Sequence, residues 1–113
     1  MRRANRLASG GLIREVYASG RRATASSAGC VGVVTGTGNP QVAVVAGRKV
    51  GGAVARNRAK RRIRAAVDPL IARMTPGARV VVGATSQTNE AGFDALRTDL
   101  EATLQKIGAL SNA

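Results

Sequence analysis

Several residue types that serve catalysis and metal binding are absent or scarce in this sequence. There is no histidine, and Cys30 is the single cysteine. These two facts exclude an internal disulfide, the usual zinc sites and catalysis by a cysteine–histidine pair. We therefore interpret Cys30 as a small, buried hydrophobic residue of a strand.

Aromatic side chains and long apolar runs are also missing. The 113 residues include one tyrosine, one phenylalanine and no tryptophan, so base stacking is not expected to dominate any nucleic-acid recognition. No apolar run approaches the ~20 residues of a membrane span. Met1-Arg2-Arg3 is not followed by the hydrophobic region of a signal peptide. We expect a cytoplasmic protein that does not associate with membranes.

Acidic residues are few and scattered. The sequence has 6 of them against 18 lysines and arginines, which gives a formal net charge of +12. No two acids are placed near the most basic region, and most lie around the last predicted helix. A protein nuclease would need a general base, a metal cage or a nucleophile. The sequence therefore predicts neither a catalytic residue nor a metal site. The acids are Glu15, Asp68, Glu90, Asp94, Asp99 and Glu101.

The most concentrated feature that is present is a basic segment, residues 48–64. It carries eight lysines and arginines in seventeen positions and no acid. Like charges at this density repel one another, so they need an external partner or a structural reason to stay together. A solvated helix face usually interleaves Glu with Lys or Arg, and this segment does not. The segment therefore indicates a surface for a polyanion such as a nucleic acid.

The spacing within and after this segment predicts one amphipathic helix. Its apolar arc is formed by Ala59, Ile63, Ala66, Val67 and Leu70. The opposite side carries Asn57, Arg58, Arg61, Arg62 and Arg64, while Arg56 and Lys60 lie near the margin. Gly51 and Gly52 precede the helix, whose N-terminus adds N–H groups and a positive dipole end that favour phosphate.

The remaining pattern predicts two further helices and four strands. A first helix starts at a Ser9 cap and ends near Ser19, where Gly20 closes it. A last helix is capped by Asn89 and ends at Gly108. Its predicted core positions are Phe93, Leu96, Leu100, Leu104 and Ile107. The strands are predicted at residues 21–25, 29–35, 41–46 and 79–84.

Two details of this pattern concern how the elements join. The strand at 41–46 is apolar on both faces, so we expect it to be central and antiparallel to the strand before it. At Asp68-Pro69, either the basic helix ends near Val67 or a second helical segment begins there and lasts to Met74. The strand at 41–46, the basic helix and the strand at 79–84 follow one another in the chain. This order predicts a parallel crossover, which general statistics would make right-handed.

The basic segment resembles the signature of the protein subunit of bacterial ribonuclease P. That family carries a basic pair, Gly, Ala-Val, Arg-Asn-Arg, Lys-Arg, Ile or Leu, and Arg at fixed offsets. The matching residues are Arg48-Lys49, Gly51, Ala53-Val54, Arg56-Asn57-Arg58, Lys60-Arg61, Ile63 and Arg64. The first helix is similar too, although the family usually has an aromatic residue at the position of Ile13 and another near Val31.

The resemblance implies an α+β fold like the second domain of ribosomal protein S5. It implies the order α-β-β-β-α-β-α and a four-stranded sheet, with the basic helix in a left-handed βαβ crossover. The whole chain, 1–113, is then a single RNA-binding domain, with flexible ends at about 1–5 and 109–113.

The resemblance also implies an accessory subunit of an endoribonuclease, part of a ribonucleoprotein that matures the 5′ end of tRNA. The RNA subunit, acting with Mg²⁺, performs the hydrolysis, and the protein itself binds no cofactor and no small-molecule substrate. Implied contacts with the ribonuclease P RNA are Arg48, Lys49, Arg56, Asn57, Arg58, Lys60, Arg61, Arg62 and Arg64. Contacts with the 5′ leader of precursor tRNA are implied for Tyr17 and, more weakly, Ile13.

Two alternatives remain open from the residues alone. A non-enzymatic ribosome-associated or RNA-chaperone protein of the same fold would use the basic helix equally well. Tyr17 fits a helix residue that anchors to the core as well as it fits a leader contact.

Overall fold

Residues 1–111 form three α-helices and four β-strands in the predicted order, α-β-β-β-α-β-α. The computed structural model of the chain describes residues 1–111. The helices are α1 (Gly10–Ser19), α2 (Ala53–Val67) and α3 (Phe93–Lys106), and the strands are β1 (Arg21–Thr24), β2 (Ala28–Val34), β3 (Gln41–Val45) and β4 (Ala78–Ala84). Shorter 3₁₀ turns occupy Arg3–Asn5, Arg48–Val50 and Asp68–Arg73.

Helix α1 begins and ends at the residues that the sequence predicted. The Ser9 hydroxyl accepts a hydrogen bond from the Leu12 N–H at 3.3 Å, and Gly20 N–H donates to the Val16 carbonyl at 2.8 Å. A Cβ added at Gly20 would lie 2.5 Å from that carbonyl oxygen, so the sharp entry into β1 requires glycine.

The strands form one mixed sheet in the order β1-β2-β4-β3. Strand β4 is antiparallel to β2 and parallel to β3, so α2 makes the predicted parallel crossover. Its left-handedness stays a prediction. The prediction that β3 pairs antiparallel with β2 was wrong, because β4 lies between them. The prediction that β3 is central was also wrong, because β3 is an edge strand.

Strand β3 is apolar on both faces although it lies at the edge, because both of its faces are covered. Val42 packs in the core beneath α2 and α3, while Ala43 and Val45 pack toward α1. Its outer edge is also partly paired, since the Leu7 N–H donates to the Val42 carbonyl at 3.0 Å. Cover of this kind protects an edge strand from pairing with another chain.

The sheet separates two hydrophobic clusters. The smaller cluster lies under α1 and contains Leu7, Val16, Val31 and Val81. The larger one joins α2 and α3 to the opposite face, and its members include Cys30, Val42, Ile63, Ala66, Val67, Val80, Val82, Leu96, Leu100 and Leu104. Cys30 is thus buried, as predicted, and all five residues of the predicted apolar arc from Ala59 to Leu70 are buried.

The two alternatives at Asp68-Pro69 are reconciled by a change of helix type. Helix α2 ends at Val67, and a 3₁₀ segment continues directly over Asp68–Arg73 with Pro69 in its first turn. Proline is acceptable there because N–H groups at the start of a helix have no intrahelical partner.

Two predictions for the last helix were wrong. Asn89 does not cap α3, because the helix begins three residues later than expected, after the N-cap residue Gly92. Phe93 is then the first helical residue, and its side chain is 42% exposed rather than part of the core. The other predicted core positions of the helix, Leu96, Leu100, Leu104 and Ile107, are buried.

Both ends of the described chain contact the rest of the molecule. The Met1 amino group lies 3.2 Å from an Asp68 carboxylate oxygen, and the Asn5 side-chain amide donates to the Pro40 carbonyl at 2.8 Å. Ala109 and Leu110 are buried. The flexibility expected for both ends stays a prediction, and residues 112–113 lie outside the described part.

Candidate nucleic-acid interface

The basic segment forms one continuous cationic surface on and beside α2. Arg58, Arg61 and Arg64 are exposed along the helix, while Arg56 and Lys60 are partly exposed, in keeping with their marginal positions. Arg48 and Lys49 are exposed in the 3₁₀ turn just before it, and Asn57 is exposed among the arginines. Within residues 1–111, none of these cations forms an ion pair. Their charge is therefore uncompensated within the described protein.

The first turn of α2 adds to this surface. Its N-cap is Gly52, which has no side chain to cap the helix, and the first helical hydrogen bond runs from Arg56 N–H to the Gly52 carbonyl. The preceding N–H groups of the turn have no intrahelical partner, and the helix dipole is positive at this end. Val54 is 84% exposed in this turn, so an apolar side chain stands among the cations.

Arg62 differs from the other arginines of α2 because its guanidinium is bound within the protein, whereas its position opposite the apolar arc predicted an exposed side chain. It is half-buried on the flank that faces the segment before α3. Its guanidinium donates one hydrogen bond to the Thr88 carbonyl and another to the Ala91 carbonyl, the latter at 2.6 Å. No pattern within α2 distinguishes Arg62 from Arg61, because the carbonyl groups that engage it belong to a distant part of the sequence.

Tyr17 lies on the α1 face of the sheet rather than in the core. Its ring is 40% exposed, and the Arg22 guanidinium carbon is 5.6 Å from the ring centroid. The two residues border a shallow groove of about 170 Å³ whose floor includes Gly29 and Gly83. These glycines are paired neighbours in β2 and β4, and the absence of side chains there leaves the sheet surface open.

Ile13 lies in a different groove from Tyr17. It is half-buried, and this second groove, of about 230 Å³, runs along β3. Arg6 and Arg64 also line it. The structure therefore separates the two predicted leader residues. It also brings Ile13 together with Arg64, which the resemblance assigned to the RNA subunit.

Arg6 and Arg22 are the cations of these grooves that sequence reasoning missed. Both lie outside the basic segment, Arg6 three residues after Arg3 and Arg22 paired only with Arg21, so neither belongs to a run dense enough for charge alone to single it out. The signal for Arg22 is its short distance in sequence from Tyr17, because the turn at Gly20 folds β1 back beside the end of α1 and the Arg22 guanidinium donates to the Tyr17 carbonyl.

The remaining chemistry of the molecule is limited. Burial raises the pKa of the Cys30 thiol, and a side-chain hydrogen bond with Thr103 offsets part of that shift. The thiol is therefore protonated at neutral pH and is a poor nucleophile. Across residues 1–111, no three His, Cys, Asp or Glu side chains are grouped to hold a metal ion. No helix in the same range is long and apolar enough to cross a membrane.

Comparison with known proteins gives one consistent family. The family model described as Ribonuclease P matches residues 1–108. The ribonuclease P protein component of Symbiobacterium thermophilum is 41% identical over 112 residues, covering 97% of this chain and 96% of that protein.

Solved structures share the fold at lower sequence identity. The RNase P protein of Staphylococcus aureus superposes with a TM-score of 0.80 at 17% identity, covering 96% of this chain and 100% of that one. The RNase P protein of Thermotoga maritima superposes with a TM-score of 0.77 at 21% identity, covering 90% of this chain and 96% of that one. The family model and the full-length relative, together with this shared fold, show that the chain belongs to the ribonuclease P protein family.

Proposed function

We propose that this protein is the accessory protein subunit of ribonuclease P and binds the RNA subunit through α2. The observation that carries the proposal is a row of cations, exposed or partly exposed and without ion pairs among residues 1–111, on a helix whose other face is buried. The proposed contacts are Arg48, Lys49, Arg56, Asn57, Arg58, Lys60, Arg61 and Arg64. Arg62 is treated separately below because its guanidinium is engaged within the protein.

The 5′ leader of precursor tRNA is the proposed ligand of the α1 face. An exposed Tyr17 ring beside the Arg22 guanidinium offers both stacking and charge to a single-stranded nucleic acid. Ile13, in the neighbouring groove with Arg6 and Arg64, would give an apolar contact without stacking. Leader binding would therefore depend more on Tyr17 than on Ile13.

Catalysis is assigned to the RNA subunit, with Mg²⁺ held by RNA. The cationic surface of the protein offers arginine and lysine side chains, which bind phosphate but cannot coordinate a metal ion. The protein would assist the reaction by neutralising phosphate repulsion and holding the substrate, as a soluble subunit in the cytoplasm where tRNA is processed.

The test of this function is reconstitution. Purified protein is added to a ribonuclease P RNA of the same source with precursor tRNA at low Mg²⁺, and 5′ cleavage is followed. We expect cleavage at salt and Mg²⁺ concentrations at which the RNA alone is inactive, and high Mg²⁺ should partly replace the protein. RNA binding without any gain in cleavage would instead favour a ribosome-associated or RNA-chaperone role.

Replacing Tyr17 by alanine is expected to weaken holoenzyme binding only for substrates with a leader long enough to reach the protein. The loss should be about 1–3 kcal/mol if a base stacks on the ring, and near the low end because Ile13 supplies no second ring. Affinities are measured with precursor tRNAs of graded leader length.

The matched control for this experiment is Phe93→Ala. Phe93 is 42% exposed, close to the 40% of Tyr17, but it belongs to α3 on the other side of the sheet. It should show no dependence on leader length. An effect of Tyr17→Ala that is the same with and without a leader would exclude Tyr17 from the leader site.

A further inference from the structure

Arg62 is the one cation of α2 whose guanidinium is held by protein carbonyl groups in the described chain. Its two hydrogen bonds go to Thr88 and Ala91, in the segment 85–92 between β4 and α3, called here the 85–92 loop. A guanidinium can bond two carbonyl groups at once because its N–H groups form a planar fork, whereas a lysine ammonium is a single point charge.

The 85–92 loop is itself fixed to the rest of the fold. Thr88 is fully buried, and its hydroxyl accepts from the Thr85 N–H at 2.9 Å and donates to the Ser27 carbonyl at 2.6 Å. Ser27 in turn donates its N–H and its hydroxyl to the Asp99 carboxylate, at 3.0 and 2.6 Å. Arg62 is therefore bonded to an anchor that joins the β1–β2 turn to α3.

A third hydrogen bond attaches the same loop near the beginning of α2. The Asn89 side-chain amide donates to the Ala55 carbonyl at 2.9 Å, one residue before the Arg56-Asn57-Arg58 triplet. Ala55 and Arg62 are about two helical turns apart. Two attachment points at this separation fix both the tilt of α2 and its rotation about its own axis.

We propose that Arg62, together with Asn89, positions the basic helix and does not itself neutralise an RNA phosphate. Without these three hydrogen bonds, α2 would remain folded on its buried arc but would sample a wider range of orientations. RNA binding would then have to restrict α2 to one orientation before the exposed arginines could contact the phosphates. The entropy lost in this ordering lowers the affinity. This inference rests on the proposed function, since it assumes that α2 binds ribonuclease P RNA.

The test compares the salt dependence of RNA binding across matched variants. Each phosphate contact contributes about 0.7–0.9 to the slope of log K against log salt. Affinity for ribonuclease P RNA is titrated over a salt series for the wild type, Arg62→Gln, Arg62→Lys, Asn89→Ala and Arg61→Ala. Thermal melts first define a temperature at which every variant is fully folded.

We expect Arg61→Ala to make the slope shallower by about 0.7–0.9. Arg62→Gln and Arg62→Lys should both lower affinity about three- to tenfold at every salt concentration while keeping the wild-type slope. Asn89→Ala, which changes no charge, should act in the same direction. It also keeps the test decisive if Arg62→Gln fails to fold.

Two results would overturn the inference while leaving the proposed function intact. A shallower slope in Arg62→Gln, restored in Arg62→Lys, would show that Arg62 is a direct phosphate contact. Wild-type affinity in the folded Arg62 and Asn89 variants would show that the bonds serve stability alone. Failure of the proposed function is distinct, because the wild-type protein would then bind ribonuclease P RNA no better than an unrelated RNA.

Discussion

The affinity of this protein for ribonuclease P RNA is expected to fall by about 250- to 1,000-fold when monovalent salt rises from about 50 to 200 mM. The expectation rests on roughly six phosphate contacts, each contributing about 0.7–0.9 to the slope, which gives a slope of about −4 to −5. The structure supports a number of this size. Seven cations of the basic segment, excluding Arg62, are exposed or partly exposed and have no ion pair among the described residues.

The measurement is a binding titration at several salt concentrations at constant Mg²⁺. A suitable control is Arg97→Ala, because Arg97 lies on α3 and is 3.7 Å from the Asp94 carboxylate. Its removal should leave the slope unchanged. A wild-type slope shallower than about −2 would show that phosphate contacts do not dominate binding.

Replacing Ile63 by alanine is expected to lower the free energy of unfolding by about 2–4 kcal/mol. The Ile63 side chain is 0% exposed and lies in the larger hydrophobic cluster, against the sheet and α3. Removing it loses the burial energy of the deleted groups and leaves a cavity that the surrounding side chains fill only in part. The measurement is equilibrium unfolding in denaturant or by heat.

The control for this experiment is Arg61→Ala on the opposite side of the helix. Arg61 is exposed, so its loss should change stability by no more than about 0.5 kcal/mol. Arg62→Ala is unsuitable as a neutral control, because loss of two hydrogen bonds from a charged donor should destabilise the protein measurably. Equal destabilisation by Ile63→Ala and Arg61→Ala would contradict the observed orientation of α2.

The sequence by itself determined the features of this protein that depend on local pattern. The apolar arc of α2 follows from helical periodicity, because residues three and four apart lie on one side. The limits of α1 follow from Ser9 and Gly20, whose roles depend only on neighbouring backbone groups. The charge of the basic segment is likewise a property of composition, and so is the expectation that it needs a polyanionic partner.

Only the tertiary structure decided which segments meet. Strand β3 lies at the sheet edge because the chain returns through α2 and inserts β4 beside it, and hydrophobicity cannot distinguish an edge strand covered on both faces from a central one. Arg62 gained its partners from residues 26 and 29 positions away, and Asn89 gained its partner from a residue 34 positions away. Tyr17 is exposed because the neighbouring sheet surface carries glycines, and Phe93 because α3 begins there. These outcomes depend on long-range packing, whose partners no local spacing specifies.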